Sequence, residues 1–212
     1  MGVKQLNEIT AITPQVKDKR RCNIYVDGRF CCGLTLETTV KNRLKVGQIV
    51  SQERLSEMQL ESEKDTAFDK ALTHLSATRK TEKQIRVFLQ DKGYLPAVAD
   101  YVVDKLRSYN FLNDGEYADA YVEFAAKRKG GRLIRMELRG KGIADAEIDA
   151  ALGNLDEEQE FLAAKELLYK YMRGKSADVQ TLQKAYRYVM SKGFDYEVAK
   201  KALATLGELE EE

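Results

Sequence analysis

Lys92-Gly93-Tyr94, Lys141-Gly142-Ile143 and Lys192-Gly193-Phe194 are one pattern written three times, at spacings of 49 and 51 residues. In each, an apolar periodic stretch ends at lysine–glycine and an apolar residue follows. Glycine in that place closes a helix by taking the left-handed conformation, and the next side chain folds back on the last turn. The lysine complements the negative end of the helix dipole. A recurrence at this period marks a repeat architecture.

The match extends in both directions. Upstream, Phe68, Ala71, Leu72 and Leu75 sit at i, i+3, i+4, i+7. Tyr117, Ala120, Tyr121 and Phe124 repeat that spacing, and Phe161, Ala164 and Leu168 repeat most of it. Each set predicts an apolar stripe on a helix. In the third copy the aromatic lies seven residues further from its glycine, which places an insertion at Arg173-Gly174-Lys175-Ser176-Ala177-Asp178. Downstream, Val98, Val102 and Leu106 form a third stripe, matched by Ile148 and Leu152 and by Val198, Ala202 and Leu206. Asp145 and Asp195 are placed to cap these last helices, and Pro96 stands where a first-turn proline is tolerated. Lys129-Gly130-Gly131-Arg132 reads as a helix–helix turn.

The expected fold is mainly α: an elongated, curved array of three tandem three-helix repeats behind a small N-terminal β-rich module. The expected boundaries are 1–60 for the β module, 61–110, 111–155, and 156–212 for a third repeat that ends in the acidic tail Glu208, Glu210, Glu211, Glu212. The β reading rests on Asn23 to Cys32, two strand-like runs joined by Asp27-Gly28, a dipeptide suited to a type I′ hairpin. Ile9–Ile12 and Gln48–Ser51 are further strands, with a short helix near Leu36–Asn42 and helical pattern from about Ser62 onward.

Composition agrees. Of 212 residues, 33% are charged, against about 25% in an average domain, as expected of a body with much surface. The 35 basic and 34 acidic residues nearly cancel, to a net charge of +1, so only local charge speaks about partners. Three cysteines, Cys22, Cys31 and Cys32, show no C-x-x-C and read as half-buried strand residues in a reducing compartment. The first residues lack a signal-peptide core and no apolar run reaches about 20 residues. The expectation is a soluble, cytoplasmic protein.

Enzyme signals are missing. There is no phosphate-binding glycine loop, and His74 is the one histidine. It falls between Leu72 and Leu75 on a helical pattern, as a helix-surface or boundary residue. The carboxylates are scattered at salt-bridge spacing, Glu82 before Arg86 for example. No catalytic residue, metal site, cofactor or small-molecule substrate is expected.

Positive charge is concentrated in Lys127, Arg128, Lys129, Arg132, Arg135, Arg139 and Lys141, with Glu137 the one acid among them, a net +6 over fifteen residues. Arg132, Arg135 and Arg139 share a helix face, and Ile134 and Leu138 take another. The arginines are expected outward, facing solvent. The equivalent helix of the first repeat carries Arg79, Lys80, Lys83 and Arg86, and that of the third carries Lys184, Arg187 and Lys192. A solvated face is the ordinary reading of such a run. Against it, unrelieved charge of one sign repels itself unless an anion lies near: a nucleic-acid backbone, an acidic protein surface, or the protein's own carboxylates. Aromatics do not interleave in the sequence, so no base-stacking platform is suggested.

These residues together resemble RecX, the bacterial regulators of the RecA recombinase. The resemblance is carried by Ala71-Leu72 with Leu75, then Thr81-Glu82-Lys83-Gln84-Ile85 and Leu89 up to Lys92-Gly93-Tyr94. It continues in Asn110-Phe111-Leu112-Asn113-Asp114, Tyr117-Ala118, Ala120-Tyr121-Val122, Arg128, Gly130, Ile134-Arg135-Met136-Glu137-Leu138 and Lys141-Gly142-Ile143. It ends in Tyr188-Val189, Lys192-Gly193-Phe194 and Val198. Together these span about residues 65–206; residues 1–60 lie outside them.

The resemblance implies a non-enzymatic inhibitor that lies in the groove of the RecA–single-stranded DNA filament. It would bridge RecA subunits and limit filament growth, ATP hydrolysis and strand exchange, in DNA repair and recombination. The implied partners are the RecA filament and single-stranded DNA, directly or through RecA, with no membrane. The contact candidates rest on charge geometry: Lys127, Arg128, Lys129, Arg132, Arg135, Arg139 and Lys141, then Arg79, Lys83 and Arg86. The competing readings are an autonomous DNA-binding protein and a generic helical-repeat scaffold.

Overall fold

A computed structural model describes residues 6–16 and 18–207. The acidic tail lies outside them. The chain divides into two compact units, residues 1–78 with 85–111, and residues 79–84 with 112–212.

The first unit opens on a four-stranded antiparallel sheet of order β3-β2-β1-β4, from β1 (Leu6–Pro14), β2 (Arg21–Val26), β3 (Arg29–Thr35) and β4 (Ile49–Ser51). The β2–β3 hairpin turns at Asp27 and Gly28 with φ of 49° and 77°, the positive pair that a type I′ turn demands. Helix α1 (Leu36–Lys41) follows β3 and is capped by the Thr35 hydroxyl. Alternation along β2 buries Cys22, Ile24 and Val26. Cys22 and Cys32 are fully in the core and only Cys31 is half-buried. Burial first, then the neighbouring Cys31 and Cys22, pushes the Cys32 thiol up to about 12.

Helix α2 (Gln52–Ala77) begins ten residues before the expected onset. Ser51 ends β4 and caps α2 in the same stroke, its hydroxyl accepting from the Arg54 N–H at 3.2 Å. The first turns of α2 look polar because only Leu55 and Met58 are buried there, against the sheet. Further along, Ala67 and Ala71 are buried where α2 packs on α4 (Pro96–Ser108), whose Val98, Val102 and Leu106 are buried, as are Ile85 and Leu89 of α3 (Glu82–Asp91). One helix thus serves both the sheet and the first repeat, running through the position taken as their boundary. Pro96 occupies the first turn of α4, as its missing N–H allows.

The second unit holds α5 (Asp114–Ala125), α6 (Gly131–Gly140) and α7 (Asp145–Gly153), then α8 (Glu157–Met172), α9 (Val179–Ser191) and α10 (Tyr196–Gly207). All three Lys-Gly pairs end the second helix of a three-helix repeat, at φ of 82°, 88° and 87° for Gly93, Gly142 and Gly193. Ile143 and Phe194, the apolar residues that follow, are buried. Two expectations fail here. The buried stripe of α5 is Ala118, Val122 and Ala125, rotated from the expected one, which leaves Ala120 exposed and Phe124 74% exposed. Asp145 does not cap α7. The N-cap is Ala144, whose N–H donates to the Glu147 carboxylate at 3.3 Å.

Twelve residues before each Lys-Gly glycine stand Thr81, Gly130 and Thr181, and their fates differ. The Thr81 hydroxyl donates to the Lys141 carbonyl at 2.7 Å. The Gly130 N–H donates to the Lys192 carbonyl at 3.0 Å, and the Arg132 N–H to that of Gly193 at 3.2 Å. The start of a second helix therefore docks on the Lys-Gly turn of the following repeat. Thr181 lies in the first turn of α9 instead. Its N–H and hydroxyl both donate to the Asp178 carboxylate, each at 2.9 Å, so the third repeat satisfies this turn from its own chain.

Hydrogen bonds from the Ser176 hydroxyl, then from Thr181, hold the Asp178 carboxyl down at about 2. A depressed pKa stabilises the fold above the unfolded value and loses that effect as pH falls through the folded value. Asp178→Ala is therefore expected to lower the melting temperature at neutral pH. The gap to wild type should begin to close below about pH 4 and narrow further as the pH falls through about 2. A gap independent of pH would show that the carboxylate charge has no part in the cap.

Candidate functional site

Helix α6 begins at Gly131, after a Gly130 N-cap without a side-chain acceptor. Ile134 and Leu138 are fully buried as expected, which turns Arg132, Arg135 and Arg139 away from that core. Arg132 and Arg139 are exposed as expected and Arg135 only partly, but all three are paired. Arg132 reaches the Phe194 carbonyl at 2.7 Å and Asp195 at 3.2 Å. Arg135 pairs with Asp149 at 2.5 Å and is only one-third exposed. Arg139 pairs with Asp145 at 2.6 Å, and that contact draws the Asp145 carboxyl below its usual range. Asp145, expected as a helix cap, is engaged by an arginine instead, and Asp195, which does stand directly before α10, is engaged by one as well.

Lys129 is also engaged. Its ammonium lies 2.6 and 2.8 Å from the Glu137 oxygens, and the Tyr121 hydroxyl donates to Glu137 at 2.7 Å. Burial pushes the Glu137 carboxyl up, but the hydrogen bonds from Lys129 and Tyr121 outweigh it and leave the acid lowered. The Lys141 ammonium lies 5.8 and 5.4 Å from the ring centres of Tyr117 and Tyr121. Four of the seven basic residues of this segment thus meet four carboxylates, Glu137, Asp145, Asp149 and Asp195, three of which lie beyond the basic run. Those three acids halve the expected charge of the surface, from +6 to +3.

The same device recurs in the first repeat. Arg86 pairs with Asp100 at 2.6 Å; adding 49 to both positions gives Arg135 and Asp149. Lys83 donates to the Gly140 carbonyl at 3.1 Å, as Arg132 does to that of Phe194. An arginine tying second helix to third is therefore shared by the first two repeats; the third has Tyr186 and Lys200 at the corresponding places, 51 residues on. Of the ten candidates, Arg79, Lys83, Lys127, Arg128 and Lys141 make no ion pair with any described residue; Lys83 is held by the Gly140 carbonyl and Lys141 lies over two tyrosine rings.

Among the described residues no group of three His, Cys, Asp or Glu could hold a metal ion, and no helix is long and apolar enough to cross a membrane. A cavity of about 1240 Å³ in the first unit is lined by residues of both charge signs and by none of the ten candidates. His74 stands at its wall, stacked on Phe88 at 4.1 Å, a boundary residue as expected.

Four family models match in succession: the N-terminal domain of regulatory protein RecX over residues 7–51, and the first, second and third three-helix domains of RecX over 67–106, 113–152 and 157–203. A regulatory protein RecX of Clostridium beijerinckii is 31% identical over 92% of this chain and 94% of its own. That of Bacillus subtilis is 32% identical over 92% of this chain and 75% of its own. The chain belongs to the RecX family. A crystal structure of regulatory protein RecX superposes with a TM-score of 0.72 at 28% identity, covering 92% of this chain and 97% of the other. A second, RecX from Lactobacillus salivarius, gives 0.64 over 68% of this chain and shares the fold. The N-terminal sheet, which carried no part of the resemblance read from sequence, is thus a family domain too.

Proposed function

We propose that this RecX-family regulator acts, without catalysis of its own, on a RecA recombinase in the cytoplasm. It binds in the groove of the RecA–single-stranded DNA filament and limits filament growth, ATP hydrolysis and strand exchange. The observation that carries the reading is the unbroken succession of four RecX domains along the chain. Its contact candidates are the basic residues of α3 and α6, of the segments before them, and Lys141. Arg79, Lys127 and Arg128 lead them, because their side chains make no ion pair, hydrogen bond or ring contact with any described residue.

An autonomous DNA-binding protein is the second reading. A net charge of +1 and an arginine face held by aspartates weigh against it, since such domains are usually basic overall. Titration into RecA's DNA-dependent ATPase is the test, with Arg79→Glu/Arg128→Glu in parallel. Wild type is expected to inhibit, and the double variant to need a several-fold higher concentration for the same inhibition. A wild type that leaves the ATPase untouched, yet shifts single-stranded DNA in gels with a steep salt dependence, would replace this reading by the second.

A further inference from the structure

A groove of about 640 Å³ runs through the second unit between α5 and α8, floored by the end of α7. Its floor is apolar: Val122, Ala126, Ala151, Leu155, Leu162 and Ala163. Val122, Ala151 and Ala163 are buried continuations of the helix cores, while Leu162 is left 54% exposed at the lip. Its rim is acidic. Asp119 and Glu123 stand one turn apart on α5, and Glu166 faces from α8; Lys127 is the one base lining it.

The rim carboxylates are arranged unlike those of α6 and α7. Asp119 and Glu123 form a like-charge i,i+4 pair, which costs a helix some stability. Neither makes an ion pair with any described residue, although Lys127 lies one turn beyond Glu123. Glu166 pairs only along its own helix, with Lys170 at 2.6 Å. Here an uncovered leucine, an apolar floor and two carboxylates without an ion pair among the described residues, Asp119 and Glu123, coincide.

We infer that this groove receives a basic, apolar-tipped helical segment of the protein that the chain regulates. Apolar side chains on one face of the segment would cover Leu162 and the floor, as in helix-in-groove recognition, and flanking lysines or arginines would reach Asp119, Glu123 and Glu166. The complementarity excludes a nucleic-acid strand, whose phosphates the rim repels. The inference rests on the reading of RecA as partner, and adds to the basic contact candidates a second surface of opposite charge.

The experiment uses the full chain and RecA filaments on single-stranded DNA. Leu162→Arg and Asp119→Lys/Glu123→Lys are titrated into the ATPase beside wild type and Glu197→Lys, a charge change on α10 outside the groove. All four sites are exposed, so circular dichroism and melting temperature should match wild type. Both groove variants are expected to raise the half-inhibitory concentration at least about tenfold, as loss of a central anchor does, and the α10 variant to leave it unchanged. A photo-crosslinking phenylalanine analogue at position 162 is expected to join a lysine- or arginine-rich peptide of RecA. Inhibition by wild type with equal inhibition by both groove variants would remove the groove and leave the functional reading standing. Loss with Leu162→Arg alone would overturn the basic character of the segment. A wild type without effect on RecA would end the functional reading, and the assigned partner with it.

Discussion

Gly130→Ala should destabilise the protein, while Gly131→Ala, one residue on, should leave it as stable or more so. The contrast isolates the junction between the second and third repeats. Gly130 has φ of −81°, an ordinary value, so no backbone strain is at stake. A methyl group there would overlap the Gly193 carbonyl oxygen and the backbone of Phe194. Backbone cannot swing aside as a side-chain tip can, so the docking bonds from Gly130 to Lys192 and from Arg132 to Gly193 must lengthen or break. Overpacking of this kind costs about 1–3 kcal/mol, and a chain of this size loses about 2–4 °C of melting temperature per kcal/mol. A methyl on Gly131 meets only Leu152 Cδ2 at 3.9 Å, and replacing a helical glycine by alanine favours the helix by up to about 1 kcal/mol. Equal melting temperatures for the two variants would mean that the junction yields freely.

This junction was half legible in the sequence. The three Lys-Gly sites could be read because a helix end depends on local chemistry: a residue able to take positive φ, then an apolar side chain to fold back. What each turn docks against is tertiary, and the glycine pair before Arg132 gave only "turn". The phase of α5 was misread for a related reason. Tyr117, Tyr121 and Phe124 look like the core because they are large, yet close helix packing selected Ala118 and Ala125 and left Phe124 outside. The onset of α2 was missed because its first turns face a sheet through two residues only, too few to register as a helical stripe.

The basic surface shows where charge counting along a chain fails. Reading residues 127–141 as a window sees seven cations and one acid. Three of the answering carboxylates come from α7 and from the residue before α10, outside any such window. A signal did exist. Arg86 and Asp100, like Arg135 and Asp149, stand fourteen residues apart at corresponding places in two repeats, and a pair that repeats with the fold belongs to the fold. The groove between α5 and α8 left no comparable trace, since its floor and rim come from three helices and two repeats.

That distinction decides what Arg135 does, and exchanging the two charges tests it. Arg135→Asp should lower the melting temperature, because it removes the pair with Asp149 and sets two carboxylates face to face. An exposed pair is worth up to about 1 kcal/mol, and Arg135 is the least exposed of the three arginines of α6. The double variant Arg135→Asp/Asp149→Arg restores an ion pair between α6 and α7 and the net charge of the surface, but moves the guanidinium to the other helix. It is expected to regain the wild-type melting temperature and to inhibit RecA within about twofold of wild type, because the arginine's task is to hold the repeat together. Recovery of stability without recovery of inhibition would reverse that assignment. Arg135 would then touch the partner itself, and the aspartate that holds it would be a device for aiming a contact residue. The triple reversal of Arg132, Arg135 and Arg139 cannot separate these cases. It breaks three ion pairs and the hydrogen bond to the Phe194 carbonyl at once, so loss of inhibition would follow from a weakened fold as readily as from a lost contact.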